Sequence, residues 1–135
     1  NQGMNKKSFA EVLARFKKIE FKEDFDLLVA IGRGGVIPAA IINQMLKLPL
    51  EIIWLNYRDE NKEIVHKTPK LLQKISYSCK AKKILLVDDV SRTGATFKKA
   101  RELLKLAKKV KTFVVNGKAD YFLYDTECFR LPWLL

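Results

Sequence analysis

The apolar and polar positions divide the chain into short helical and strand-like stretches in alternation. Phe9, Val12, Leu13 and Phe16 recur at helical spacing, and Ser8 with Glu11 three residues on makes a capping box. That pattern predicts a helix over Ser8–Lys18. Residues 25–31, FDLLVAI, are almost continuously apolar and run into the glycine-rich GRGG of 32–35, which reads as a buried strand and its turn. The stretch VIPAAIINQMLK then suits a helix with Pro38 in its first turn, where a missing N–H costs little. LEIIWLNY (50–57) predicts a second strand and Ile84–Val87 a third. A helix over Gly94–Lys108, a strand over Lys111–Val115 and a short strand at Tyr121–Tyr124 follow, before the tail DTECFRLPWLL. Strands alternating with helices predict an α/β fold: one domain, residues 1–135, with a largely parallel central sheet flanked by helices.

One stretch breaks the rhythm. From Arg58 to Ser76 the chain is polar and lysine-rich, holds Pro69, and shows no period of either kind. A long loop or mobile hairpin is expected there, of the length that usually makes a lid over a site.

Composition adds bounds. With 135 residues and 48% hydrophobic content the chain can bury a real core. Its longest apolar runs fall far short of the ~20 residues of a membrane span, and Asn1–Phe9 lacks the apolar segment of a signal peptide. Cys79 and Cys128 match no metal-ligand spacing and are expected as reduced thiols in a cytoplasmic protein. The net charge of +11 suits an anionic partner. Much of the lysine, however, lies on apparent solvated helix faces, so charge alone assigns no partner.

The chemistry concentrates beyond the carboxyl ends of two predicted strands, where open parallel sheets bind ligands. In ILLVDDVSRTGAT (84–96) an apolar strand ends on Asp88 and Asp89 and passes into Ser91, Arg92, Thr93, Gly94, Ala95 and Thr96. A loop that becomes a helix at Gly94 leaves backbone N–H groups open to an anion, and the threonine hydroxyls add donors. This is a phosphate cradle. It is no Walker loop, since Gly-Lys-Ser/Thr is absent, and GRGGVIP lacks the third glycine of a dinucleotide fingerprint. Adjacent residues of an extended chain face opposite ways, so one carboxylate can take sugar hydroxyls while the other turns to a cation or to the protein. Two carboxylates beside a phosphate cradle imply a cation or a polyol between them.

On these residues the chain resembles the type I phosphoribosyltransferases, closest to the xanthine–guanine (6-oxopurine) branch. ILLVDDVSRTGAT is similar to their motif for phosphoribosyl pyrophosphate (PRPP). AIGRGGVIPAA is similar to the pyrophosphate loop of that branch, and DYFLYDTECFRLPW to its C-terminal purine hood. The resemblance covers about Phe25 to Trp133 and implies the type I fold, a lid over 58–78 and a hood over 117–135. It implies that Asp88 and Asp89 hold the ribose hydroxyls and Mg²⁺, the metal cofactor, and that Ser91 to Thr96 wrap the 5′-phosphate. Gly32, Arg33, Gly34 and Gly35 would meet the pyrophosphate, with Arg33 neutralising the leaving group; in relatives the peptide matching Gly32–Arg33 can be cis. Lys118 would read the exocyclic oxygen of a 6-oxopurine, its alternative being one more surface lysine. The lid would bring Arg58, Lys62, Lys67 and Lys70 and exclude water, with His66 given little weight.

Two positions depart from the pattern. Before Thr-Gly the 6-oxopurine enzymes usually carry an aspartate that contacts N7 of the base, and here Arg92 stands there. An arginine accepts no proton. It is left to strengthen the cradle, to pair with Asp88 or Asp89, or to favour an anionic base. In the tail the usual stacking tryptophan falls on Cys128; Phe129 is the expected stacker through a one-residue shortening, with core packing as the alternative. The function implied is Mg²⁺-dependent transfer of phosphoribose from PRPP to a nucleobase, foremost guanine, xanthine or hypoxanthine, by a homo-oligomer. The alternative is a PRPP- or nucleotide-sensing regulator, or a nucleic-acid binder, on the same fold. The sparse aromatics among the lysines speak against nucleic acid as a partner.

Overall fold

The computed structural model describes residues 5–55, 75 and 78–135. In chain order the elements are β1 (Asn5–Lys6), α1 (Phe9–Lys18), β2 (Leu27–Gly32), α2 (Val36–Leu46), β3 (Leu50–Trp54), β4 (Lys83–Ser91), α3 (Ala95–Leu103), β5 (Lys109–Gly117), β6 (Tyr121–Tyr124) and β7 (Phe129–Arg130). Five strands make one sheet in the order β3-β2-β4-β5-β6, every pair parallel. From β2 the chain steps outward to β3 and then returns to the other side for β4. The reversal of strand order therefore falls between β2 and β4, and the crevice beyond their carboxyl ends is the topological switch point.

Period-two alternation sorts the side chains into two cores. Leu28, Ala30, Leu85, Val87, Phe113 and Val115 meet Val12 and Phe16 of α1 and Ala39 and Ile42 of α2. Leu27, Val29, Ile31, Ile84, Leu86 and Val114 face the other way, onto Phe97, Ala100 and Leu104, with Ile75 and Cys79 beside them. All six residues of β2 are buried, as a strand covered on both faces requires.

The helix starts follow the sequence expectation. Ser8 Oγ accepts from Glu11 N at 3.1 Å, and Pro38 sits in the first turn of α2. Elsewhere the bounds differ for physical reasons. β4 is expected over Ile84–Val87 but continues through the acids to Ser91, because pairing with β5 persists at Asp88↔Val114, Val90↔Asn116 and Ser91↔Gly117. The helix expected over Gly94–Lys108 stops at Leu103. Leu104 N bonds back to both Ala100 O and Arg101 O, and Lys108 N then donates to Lys82 O at 2.8 Å, which starts β5 at Lys109. The small parallel pair β1–β7, joining Asn5 to Phe129 and Lys6 to Arg130, has no counterpart in the apolar pattern; two-residue strands are too short to show a period.

β5 and β6 are parallel with only residues 118–120 between them, so the chain doubles back to set Phe113 beside Tyr121. Asp120 makes this possible. Its Oδ2 accepts from Thr112 N at 2.9 Å and from Thr112 Oγ1 at 3.1 Å, while Asp120 N donates to Thr112 Oγ1 at 3.0 Å. The lid expectation, with Arg58, Lys62, His66, Lys67 and Lys70, lies outside the described residues apart from Ile75 and Ser78.

Phe113 is fully buried and stacks on Phe16 with ring centroids 5.8 Å apart, linking sheet and α1. Phe113→Ala should lower unfolding free energy by about 3–5 kcal/mol, read as a fall in the urea midpoint with an unchanged slope.

Candidate active site

The two glycine-bearing loops meet at the switch point. β2 ends at Gly32, the Gly32–Arg33 peptide is cis, and residues 33–35 turn into α2. Gly35 lies so close to β4 that a Cβ there would sit 2.2 Å from Val87 O. A Cβ on Gly34 would lie 2.5 Å from Cγ and both carboxylate oxygens of Asp89. Glycine at 34 is what lets the loop touch the acid. On the far side, a Cβ on Gly32 would fall 2.6 Å from the ring of Trp54, so the β3 tryptophan backs the same loop. Arg33 is exposed at the mouth.

Asp88 and Asp89 are consecutive near the end of β4, and their carboxyl groups lie close enough to interact. Asp89 is half-buried, turned toward Gly34, and its Oδ1 accepts from Val90 N at 2.7 Å. Asp88 is 6% exposed, and its Oδ1 accepts from Asp89 N at 2.8 Å. Burial above all, and the neighbouring Asp89 carboxylate next, push the Asp88 carboxyl up to about 8. Among the described residues no cation contributes to this shift, and two hard oxygen donors suit Mg²⁺ by type. Among the described residues no group of three or more His, Cys, Asp or Glu gathers as a metal cage.

The phosphate loop follows. Gly94 caps α3 with φ 79°, a left-handed conformation natural to glycine, and Ala95 N donates to Thr93 Oγ1 at 3.2 Å. The first intrahelical bond runs from Lys98 N to Gly94 O at 3.0 Å, which leaves the N–H groups of Thr96 and Phe97 at an open helix start. Arg92 leaves this loop altogether: its guanidinium ends against the thiol sulfur of Cys128 in the C-terminal segment.

A polar residue not singled out in the sequence holds that segment in place. Asn116, 3% exposed, donates through Nδ2 to Thr126 O and Glu127 O, both at 3.3 Å, and accepts from Thr126 N at 3.0 Å. Its one visible signal was a lone amide closing the apolar run TFVV. Gly117 follows with φ 134°, and a Cβ there would meet Ser91 O at 2.1 Å, so β5 closes directly onto the phosphate loop. Lys118 stands exposed one residue further.

Phe129, expected as the stacking ring, is instead part of the core. It is 8% exposed and edge-on to Tyr124 with centroids 4.9 Å apart. The Lys7 ammonium covers it at 4.9 Å from the centroid. Its burial follows from β7 pairing with β1, which turns Phe129 inward and leaves Cys128 outside. The structure thus brings Gly32 to Gly35, Asp88, Asp89, Ser91 and residues 93–96 to neighbouring strand ends, with Lys118 one residue past Gly117; it sends the Arg92 side chain to Cys128 and leaves Phe129 in the core.

Residues 5–129 match the phosphoribosyl transferase domain family, and the chain belongs to that family of enzymes. The adenine phosphoribosyltransferase of Thermotoga sp. (strain RQ2) is 31% identical over 124 residues, 83% of this chain and 68% of that protein. The xanthine-guanine phosphoribosyltransferase of Nitratidesulfovibrio vulgaris is 33% identical over 111 residues, 80% of this chain and 65% of its own. The chain thus spans about two thirds of the length of these curated relatives. Among solved structures, the purine phosphoribosyltransferase from Pyrococcus horikoshii Ot3 superposes with a TM-score of 0.74 at 25% identity, over 96% of this chain and 93% of that one. These relatives differ in the base they are named for, so membership sets the reaction class and leaves the acceptor open.

The raised Asp88 carboxyl has a stability consequence. Its folded-state value of about 8 lies above the ordinary 3.8, so the folded protein holds the proton more tightly than the unfolded chain. The associated stability is fully present below the ordinary value and is lost as pH rises through about 8. In buffer free of divalent ions, the urea midpoint should fall across that window, and Asp88→Asn should flatten the fall.

Proposed function

We propose that this protein catalyses Mg²⁺-dependent transfer of the phosphoribosyl group from PRPP to a nucleobase, releasing pyrophosphate, and that the acceptor is a 6-oxopurine. The observation that carries it is the contact between Gly34 and the Asp89 carboxylate. It makes the GRGG loop and the acid pair one site, with the open start of α3 in the same crevice. A ligand with a phosphate at one end, a diol in the middle and a pyrophosphate at the other meets a fitting group at each point.

The roles follow from charge. Asp88 and Asp89 accept hydrogen bonds from the ribose hydroxyls and are the residues that would hold Mg²⁺. The N–H groups of Thr96 and Phe97 and the hydroxyls of Thr93 and Thr96 take the 5′-phosphate. As the bond from C1′ to the pyrophosphate oxygen lengthens, positive character grows on the ribose and negative charge on the leaving group. Arg33 and the backbone of 33–35 stand where that negative charge collects. Bound Mg²⁺ supplies further neutralisation of the departing pyrophosphate. Support for a 6-oxopurine is the exposed Lys118 beside Ser91 and Gly117, a donor suited to an exocyclic oxygen, together with the likeness to the xanthine-guanine enzyme of N. vulgaris.

Incubation of the protein with PRPP, Mg²⁺ and a panel of purines should release pyrophosphate and form a nucleoside monophosphate. Asp89→Asn should lower kcat/KM by about 10²-fold or more, as loss of one charge-stabilising group in a site does. Silence across the panel, with PRPP bound but never cleaved, would support the regulator reading instead.

A further inference from the structure

We infer that Arg92 is a specificity-determining residue on the acceptor side of the site. On this inference it selects an oxo-substituted base that offers hydrogen-bond acceptors or a negative charge and disfavours one that offers an amino group. The inference rests on the phosphoribosyl-transfer reading above and deepens it.

Arg92 follows Ser91, which pairs with Gly117 in the β4–β5 ladder, so its backbone sits at the rim shared by the phosphate loop and the end of β5. From there the side chain turns away from the helix start that would hold the 5′-phosphate. It crosses to Cys128, 36 residues later in the chain. The far end of that crossing is fixed, because the three hydrogen bonds of buried Asn116 hold residues 126 and 127 to β5. Arg92 is exposed and forms no ion pair among the described residues, although Asp125 and Glu127 are exposed on the same segment. Apart from the amino group on Cys128, the guanidinium has no other hydrogen-bond partner among the described residues, and those donors can serve a ligand lying between the phosphate loop and the C-terminal segment.

That gap is where a base attached to C1′ must lie, since the 5′-phosphate and the ribose diol occupy the loop and the acid pair. Arg92 and Lys118, both exposed at this end, carry only donors. A base edge made of oxo oxygens or an unprotonated ring nitrogen satisfies them, and a deprotonated base gains charge assistance as well. An amino group would face donors with its own donors and leave them unpaired, which discriminates strongly in a closed site. The choice also suits the bond change. A base nitrogen bearing a free lone pair forms its bond to C1′ as the C1′–oxygen bond to pyrophosphate breaks; an anionic base has no proton left to give up, and a neutral one loses its ring N–H proton to water or to the departing pyrophosphate. Arg92 accepts none in any case.

The test is steady-state kinetics of the wild type, Arg92→Ala and Arg92→Lys with xanthine, hypoxanthine and adenine as acceptors, varying base and PRPP separately. Circular dichroism checks that each variant is folded. The wild type should prefer xanthine and hypoxanthine over adenine. Arg92→Ala should raise KM for the oxo bases about 10- to 100-fold, the worth of a charge-assisted hydrogen bond, and shrink the preference over adenine. It should move KM for PRPP less than threefold, and Arg92→Lys should recover part of the loss. A rise in KM for PRPP with base KM unchanged would make Arg92 a phosphate ligand and overturn the inference. Adenine used as well as the oxo bases by the wild type would overturn it too. No turnover with any base would remove the phosphoribosyl-transfer reading and the inference together, so the two failures are told apart.

Discussion

Everything at this site depends on two carboxylates held at the end of a buried strand, one of them pressed against a glycine. Like charges in a low-dielectric setting repel, and burial penalises each charge separately. Among the described residues no lysine or arginine pairs with these acids: the ion pairs there are Lys7–Glu11, Arg101–Asp120 and Lys109–Glu23. Asp88 instead holds its proton far above the ordinary range. Acid beside an open helix start supports the proposed ligand, which brings both a cation and hydroxyl donors.

The sheet produces that arrangement through its topology. Because strand order reverses between β2 and β4, the two neighbouring central strands each deliver a loop to the same crevice. Gly34 and Gly35 then let those loops close to contact distance. A side chain at 35 would strike the Val87 carbonyl, and one at 34 would displace Asp89. β5 adds the third wall: Gly117 packs onto Ser91, and Asn116 fastens the C-terminal segment over the phosphate loop. Fold and site are therefore one construction, in which short-range steric constraints at three glycines set the distances between charged groups.

Much of this was legible in the residues because it is local. The capping box at Ser8, the apolar run 25–31, the acids before a Thr-Gly-Ala-Thr loop and the start of α3 all announce themselves by period or by residue type. What escaped was long-range. β4 runs on to Ser91 only because β5 continues to pair with it, and the helix ends early only because Lys108 is drawn to Lys82. Phe129 turns inward through pairing of two-residue strands, a signal too short to show a period, and the reach of Arg92 to Cys128 is a tertiary fact. Family membership lies between the two: the motif carries it, yet Arg92 at a position usually held by aspartate leaves the acceptor to be decided by the geometry of the opposite wall.

The GRGG loop and the acid pair are proposed to form a single PRPP site through the Gly34–Asp89 contact. Isothermal titration of PRPP with Mg²⁺ into the wild type and Gly34→Ala tests this proposal most directly. PRPP should bind the wild type tightly and only with Mg²⁺ present. Gly34→Ala should lose at least tenfold in affinity with little change in unfolding midpoint, because the added methyl moves a carboxylate and leaves the core intact. Equal PRPP affinity in the two proteins would contradict it.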